Sequence, residues 1–332
     1  MHRDDSFFKH GPACLFALAL ILTSGCANHE TVQNNPVSTN PRADRYESTG
    51  APTRVSGPPT SPVSYTSNPG RASSTAPWPS DAPPTIAESA IMVDARSGKV
   101  LYKKNPDERR AVASTQKLLT ALVILDAGNL DKELVVHPEA AREQPSKLYL
   151  KSGETYTRRE LLRLIMIKSA NDAATALAID HSGSEQAFAY AMTRKARSLG
   201  ANNSFFVNAH GLTESGQYST ARDMATVAMA AYRQPLLRRW MDTGRTTFIY
   251  DDGRRKSFKN TNHLVREPNH YNGMKTGFTN ASGRCLISSV SEGMQDIILV
   301  QLGGTRKFVF DDAARLLQWQ LNRSPWSSLA RR

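Results

Sequence analysis

Ser114 and Lys117 place a hydroxyl and an amine three residues apart at the start of an amphipathic stretch, so on a helix the two side chains share one face. A serine hydroxyl is a weak nucleophile until a neighbouring base removes its proton. Lysine can be that base only if its pKa falls from about 10.4 to about 7–8, at a cost of roughly 3–5 kcal/mol. Burial and a second cation could supply that shift, and Lys275 is the obvious second cation. A helix beginning at Ser114 would also aim free backbone N–H groups at a reacting carbonyl. Further along, Ser169 offers a hydroxyl able to pass a proton between Lys117 and a leaving amine. Asn171 offers an amide able to hold both a lysine and a substrate carbonyl.

Lys275-Thr276-Gly277 is the only K-T-G in the chain and lies in an apolar stretch that reads as a strand. Lys275 and Thr276 are suited to a terminal carboxylate, by charge and by hydroxyl. Gly277 would let substrate backbone approach closely, and the N–H of Phe278 is the candidate second oxyanion donor beside that of Ser114. Arg306, just after Gly303-Gly304, could add positive charge for the carboxylate. Each motif alone has a plainer reading: a capping serine with a solvated lysine, local turn bonding by Ser169 and Asn171, a surface arginine. Ser6-Phe7-Phe8-Lys9 and Ser38-Thr39-Asn40 repeat two of the patterns in segments unsuited to folding. The weight rests on the three motifs standing together and in order.

These groups must be carried by a scaffold with a recognisable order. Ala90–Val93 and Val100–Tyr102 are short apolar runs separated by Arg96-Ser97-Gly98-Lys99, a hairpin signal. Helical periodicity follows from Ser114 to Gly128, after the capping box Thr157-Arg158-Arg159-Glu160, after Asn171 to Gly183, from Glu185 to Leu199, and after Thr220 to about Tyr232. Strands are expected at about 271–278, 285–290 and 297–302, then a closing helix over about 311–321. The order gives an α+β fold, an antiparallel sheet with an inserted helical block. The chemistry is expected where that block meets the strand of Lys275.

Composition organises the rest. A short basic start, an apolar run from Ala13 to Thr23 and the sequence Leu22-Thr23-Ser24-Gly25-Cys26 read as an export signal of the lipoprotein type over residues 1–26, with Cys26 as the lipidated residue. Residues 27–85 hold eleven of the eighteen prolines and no lysine, and are expected to form a disordered tether. Residues 86–325 form the folded part and carry most of the +12 net charge. That charge suits acidic wall polymers or peptide carboxylates, or is simply a solvated surface. Nothing resembles a nucleic-acid module. Of the three cysteines, Cys14 leaves with the signal and Cys26 is acylated, so Cys285 has no partner and reads as a small core residue. His210 belongs to no metal-binding spacing and reads as a packing residue.

The three motifs are those of β-lactamases and penicillin-binding proteins. Residues 86 to about 320 resemble the serine D-Ala-D-Ala carboxypeptidases of the low-molecular-mass penicillin-binding proteins, also in Ile91–Tyr102, Lys168–Ala174, His210-Gly211-Leu212 and Ser219–Ala225. The resemblance implies a β-lactamase/DD-peptidase-like fold and an acyl-enzyme mechanism on peptidoglycan stem peptides, with β-lactams as inhibitors and no metal or organic cofactor. Many members also carry a β-rich C-terminal domain and an amphipathic anchor; neither is expected here, the N-terminal lipid replacing the anchor of an exported enzyme at the periplasmic or outer surface. A class A β-lactamase is the first alternative, but its E-x-x-L-N stretch is absent between Asn171 and Lys275. A D,D-endopeptidase is nearer, with Asp172 after Asn171 favouring the carboxypeptidase, and a non-catalytic wall-binding lipoprotein is the remaining one.

Overall fold

A computed structural model of the chain describes residues 79–266 and 271–323. The export signal, Cys26 and the tether up to residue 78 lie outside the described residues.

The first elements are the expected hairpin, β1 (Ser89–Asp94) and β2 (Val100–Lys104). Its turn closes because the Asp94 carboxylate accepts from the Ser97 N–H and hydroxyl, both at 2.7 Å, and Gly98 takes a left-handed φ of 75°. The helical block then intervenes, beginning with α1 (Lys117–Asp126), β3 (Glu133–Val135), α2 (Pro138–Ala141) and β4 (Thr155–Thr157). It continues with α3 (Arg158–Ile167), α4 (Asn171–Ser182), α5 (Glu185–Ser198), α6 (Ala221–Tyr232) and α7 (Pro235–Met241). A small hairpin, β5 (Arg245–Ile249) and β6 (Arg255–Lys259), leads to β7 (Tyr271–Thr279), β8 (Gly283–Glu292), β9 (Gln295–Gly304) and the closing α8 (Val309–Asn322).

The main sheet has the order β2-β1-β9-β8-β7, every pair antiparallel. Its two faces feed two cores, because strand side chains alternate. Ile91, Val93, Cys285, Ile287, Ile298 and Val300 join the large core under the helical block. Ala90, Met92, Leu286, Val290, Ile297 and Leu299 join the smaller core under α8. Helix starts follow the capping signals: Thr157 and Glu160 form a complete capping box at α3, and the Thr220 hydroxyl accepts from the Asp223 N–H at α6.

Three details differ from the sequence reading. The folded part starts before residue 86: Ala82 is buried, and the Thr85 hydroxyl donates to Asp312 at 3.0 Å while accepting from Gln301. Ser114 does not open the α-helix but sits in a 3-10 turn, Ala113–Gln116, that feeds it. The short strands β3–β6 carry too few apolar residues in alternation to announce themselves.

Candidate active site

The Ser114 turn is wedged between two glycines. Ala113 has a left-handed φ of 48°, unusual for a residue with a Cβ. From one side Gly211, at φ 91°, comes so close that a Cβ on it would lie 2.2 Å from the Ala113 carbonyl oxygen. From the other, a Cβ on Gly277 would lie 3.0 Å from the Ser114 nitrogen and 3.1 Å from the Val112 carbonyl oxygen. The Cβ side of Gly277 is thus filled by the Ser114 turn, so the glycine is required there by the protein's own packing.

Lys117 is fully buried. Its Nζ donates to the His210 carbonyl at 2.6 Å and the Asn171 Oδ1 at 2.7 Å, and stands 2.9 Å from Ser114 Oγ. Burial, with the Lys275 charge behind it, holds its pKa well below the ordinary lysine value, against the pull of Asp172, Glu143 and Glu185. A neutral amine so placed keeps two N–H bonds to the two carbonyl oxygens and turns its lone pair to the Ser114 hydroxyl. That is the arrangement of a general base on a nucleophile.

Asn171 opens α4, and its carboxamide is spent on the protein: Oδ1 on Lys117, Nδ2 on the Gln144 carbonyl at 3.0 Å. It therefore holds the lysine as expected, while the group expected for a substrate carbonyl is engaged. Ser169 is buried at φ 64°, and its hydroxyl has no hydrogen-bond partner among the described residues, so it is not on Lys117. Asp172 is buried and gathers the Leu148, Tyr149 and Leu150 N–H groups at 2.8–3.2 Å, tying the segment beside Ser169 to α4.

On β7, Lys275 and Gly277 pair with Ile287 and Cys285, residues of the core under the helical block, and so face the Ser114 turn. Lys275 is fully buried, donates to the Thr276 carbonyl at 3.1 Å, and is lowered to about 7 by burial and then by the charge of Lys168. The Thr276 hydroxyl bonds the Thr261 hydroxyl at 2.7 Å. Phe278 is half exposed, its ring 4.4 Å below the Arg284 guanidinium. β7 is an edge strand of the sheet. Arg306 lies exposed in the turn between β9 and α8 and no contact among the described residues joins it to the others. Cys285 is a buried free thiol, pushed up to about 11 by burial.

Sequence reasoning missed Lys168, Gly211 and the His210 carbonyl. The run Asn208-Ala209-His210-Gly211 carried the signal, since a glycine after a turn marks a close backbone approach. The His210 ring is indeed packed away, but its carbonyl belongs to the site. Glu143, Glu185 and His210 bring potential ligand atoms within 4.8 Å of one another. His210 Nδ1 accepts from the Leu212 N–H at 3.1 Å, which leaves the ring proton on Nε2, facing the carboxylates. A metal would need that Nε2 lone pair, so the donor set does not fit one.

Residues 78–306 match the model of the D-alanyl-D-alanine carboxypeptidase family. The chain is 36% identical over 226 residues to the D-alanyl-D-alanine carboxypeptidase DacF of Bacillus subtilis, covering 66% of this chain and 58% of the relative. It is 38% identical over 244 residues to a D-alanyl-D-alanine endopeptidase of Escherichia coli, covering 71% and 78%. The crystal structure of a D-alanyl-D-alanine carboxypeptidase from Mycobacterium tuberculosis superposes with a TM-score of 0.70 at 28% identity, over 74% of this chain and 94% of that one. A Streptomyces DD-transpeptidase superposes with a TM-score of 0.68 at 27% identity, over 72% and 98%.

Proposed function

The chain belongs to the D-alanyl-D-alanine carboxypeptidase family, and from that membership we propose that it trims peptidoglycan stem peptides by removing the terminal D-Ala through a serine acyl-enzyme. Ser114 attacks the carbonyl of the penultimate D-Ala as its proton passes to Lys117. The N–H groups of Ser114 and Phe278 receive the developing oxyanion. Ser169, whose hydroxyl is uncommitted, gives its proton to the departing amine and takes the one Lys117 received, so the lysine returns to its neutral form. Lys275 supplies charge for the terminal carboxylate, with Thr276 exchanging its bond to Thr261 for one to substrate. Asn171 keeps Lys117 in place. Arg306 serves the carboxylate only if the β9–α8 turn brings it inward. Water then frees the shortened peptide, and no cofactor takes part. Penicillin would acylate the same serine and leave slowly.

The observation that carries this reading is Lys117 Nζ, buried and 2.9 Å from Ser114 Oγ. Its test is incubation of the protein with a stem pentapeptide and with penicillin, followed by mass spectrometry of peptide and protein. Release of D-Ala and penicillin uptake, both lost in Ser114→Ala, are expected. The Escherichia coli relative favours a second reading, cleavage of a D,D-crosslink by the same residues. A crosslinked dimer cut faster than the pentapeptide would establish it. Penicillin turnover without D-Ala release would point to a β-lactamase, and no acylation by either to a binding module.

The cellular setting is proposed from the sequence. Lipid on Cys26 anchors the enzyme at the periplasmic or outer surface, and the proline-rich segment tethers it. Among the described residues no helix is long and apolar enough to cross a membrane. A mature N-terminus that mass spectrometry finds unlipidated and starting elsewhere would sink the anchor.

A further inference from the structure

Lys117 is held by a backbone carbonyl, so whatever fixes that carbonyl fixes the base. His210 provides it, accepting from Lys117 Nζ at 2.6 Å, with Ser114 Oγ 3.2 Å away. The ring of the same residue is buried and gripped from both ends. Nε2 lies 3.3 Å from the Glu185 carboxylate at the start of α5 and 3.5 Å from Glu143 in the segment after α2. Nδ1 accepts from the Leu212 N–H at 3.1 Å. The carboxylates are in turn fixed: the Thr175 hydroxyl of α4 stands 3.1 Å from Glu143 and 3.4 Å from Glu185, and the Ala209 N–H donates to Glu185 at 3.0 Å.

We propose that the His210 side chain is a positioning residue for the nucleophile pair, its ring clamped by Glu143, Glu185 and the Leu212 amide so that its carbonyl holds Lys117 against Ser114. The proposal rests on the catalytic reading of Ser114 and Lys117 above. A second function follows from the proton inventory. The neutral ring carries one proton, on Nε2, and donates it to the carboxylates. A second proton, taken from solvent, can go only to Nδ1, where it displaces the Leu212 N–H and opens the turn that presents the carbonyl. Burial resists the charged ring, but the hydrogen bonds of Glu143 and Glu185 outweigh it and raise its proton affinity above the ordinary value. The charged groups facing this ring are Glu143, Glu185 and Lys117; those facing Lys117 are Lys275, Asp172 and the same two glutamates. Acid therefore disables the site twice, by protonating Lys117 and by releasing the carbonyl that orients it.

The test is the second-order rate of acylation by a fluorescent penicillin as a function of pH, measured on the full chain. In the wild type the logarithm of the rate should fall on the acid side with a slope approaching two. In His210→Gln, which keeps a donor for the carboxylates but cannot titrate, the slope should drop to one. His210→Phe loses both grips, and its plateau rate should fall on the order of 10–100-fold, the scale of a small misplacement of reacting groups. If His210→Phe does not fold, Glu185→Gln serves: the acid limb should move to lower pH, and an unmoved limb overturns the clamp. So does a His210→Phe plateau and slope equal to the wild type, or zinc copurifying one to one whose removal changes the rate. Wild-type protein that takes up no penicillin at any pH overturns the reading of the site itself, and the clamp with it.

Discussion

Adding one methyl group at Gly277 should separate stability from chemistry. The new Cβ in Gly277→Ala would meet Ala113 Cβ and the Ser114 nitrogen at 3.0 Å and the Val112 carbonyl at 3.1 Å. Comfortable contact begins near 3.5 Å, so strand and turn must part by roughly 0.4–0.5 Å. Overpacking of this size costs about 1–3 kcal/mol, which for a domain of this size lowers Tm by about 2–12 °C. The functional loss should be larger, because the methyl presses on the N–H assigned to the oxyanion. Losing one such donor costs on the order of 10²–10³ in rate. The assay is acylation by fluorescent penicillin beside a circular-dichroism melt. Acylation within about threefold of wild type would refute the wedge, since it would mean that the turn does not feel β7. Gly211→Ala is the control from the opposite side. Its Cβ would sit 2.2 Å from a backbone oxygen, an overlap no small shift can absorb, so the variant should fail to fold.

Three further outcomes are expected. Lys275 titrates at about 7 in the folded chain and in the ordinary lysine range near 10.5 when unfolded. Between those values the unfolded chain binds more protons, so urea midpoints should rise with pH there, and Lys275→Met should reduce that rise. Thr157→Ala removes half of the α3 capping box and should cost about 1 kcal/mol in melts while acylation is unchanged. A chain beginning at Pro79 should match the full chain in stability, whereas one beginning at Ile86 leaves the buried Gln301 amide without the Thr85 hydroxyl, Asp312 keeping the Ile86 nitrogen and Arg315. Its loss should be about 1–3 kcal/mol, read as a lower urea midpoint.

Where local chemistry decides an element, the sequence was readable. The Asp94 and Gly98 turn, the Thr157–Glu160 box and the apolar runs of β7, β8 and β9 each follow from neighbours in the chain. The strands that escaped notice are held by partners instead: β6 reads Arg-Lys-Ser-Phe-Lys, and only Phe258 is buried. At the site, residue types and order pointed to Ser114, Lys117, Asn171 and Lys275. What could not be read was occupancy. That Gln144 takes the free end of Asn171, or that the Ser114 turn fills the space beside Gly277, depends on segments distant in sequence. Glu143, Glu185 and His210 form no spacing motif, because three separate elements deliver them to one point.

The pairing of β1 with β9 joins Ser89 to Leu302, roughly two hundred residues apart in the chain, and the whole helical block lies between them. Such a sheet cannot be completed from its first hairpin, because the other neighbour of β1 is β9, the last of the described strands to be made. Loop closure over that distance must be offset by contacts that form together, which predicts slow, late and cooperative folding. The Ser114 turn packs against β7, two strands along from that seam in the same sheet. A chain interrupted before β9 therefore carries both Ser114 and Lys275 but lacks the strand that ties β8 and β7 to the first hairpin.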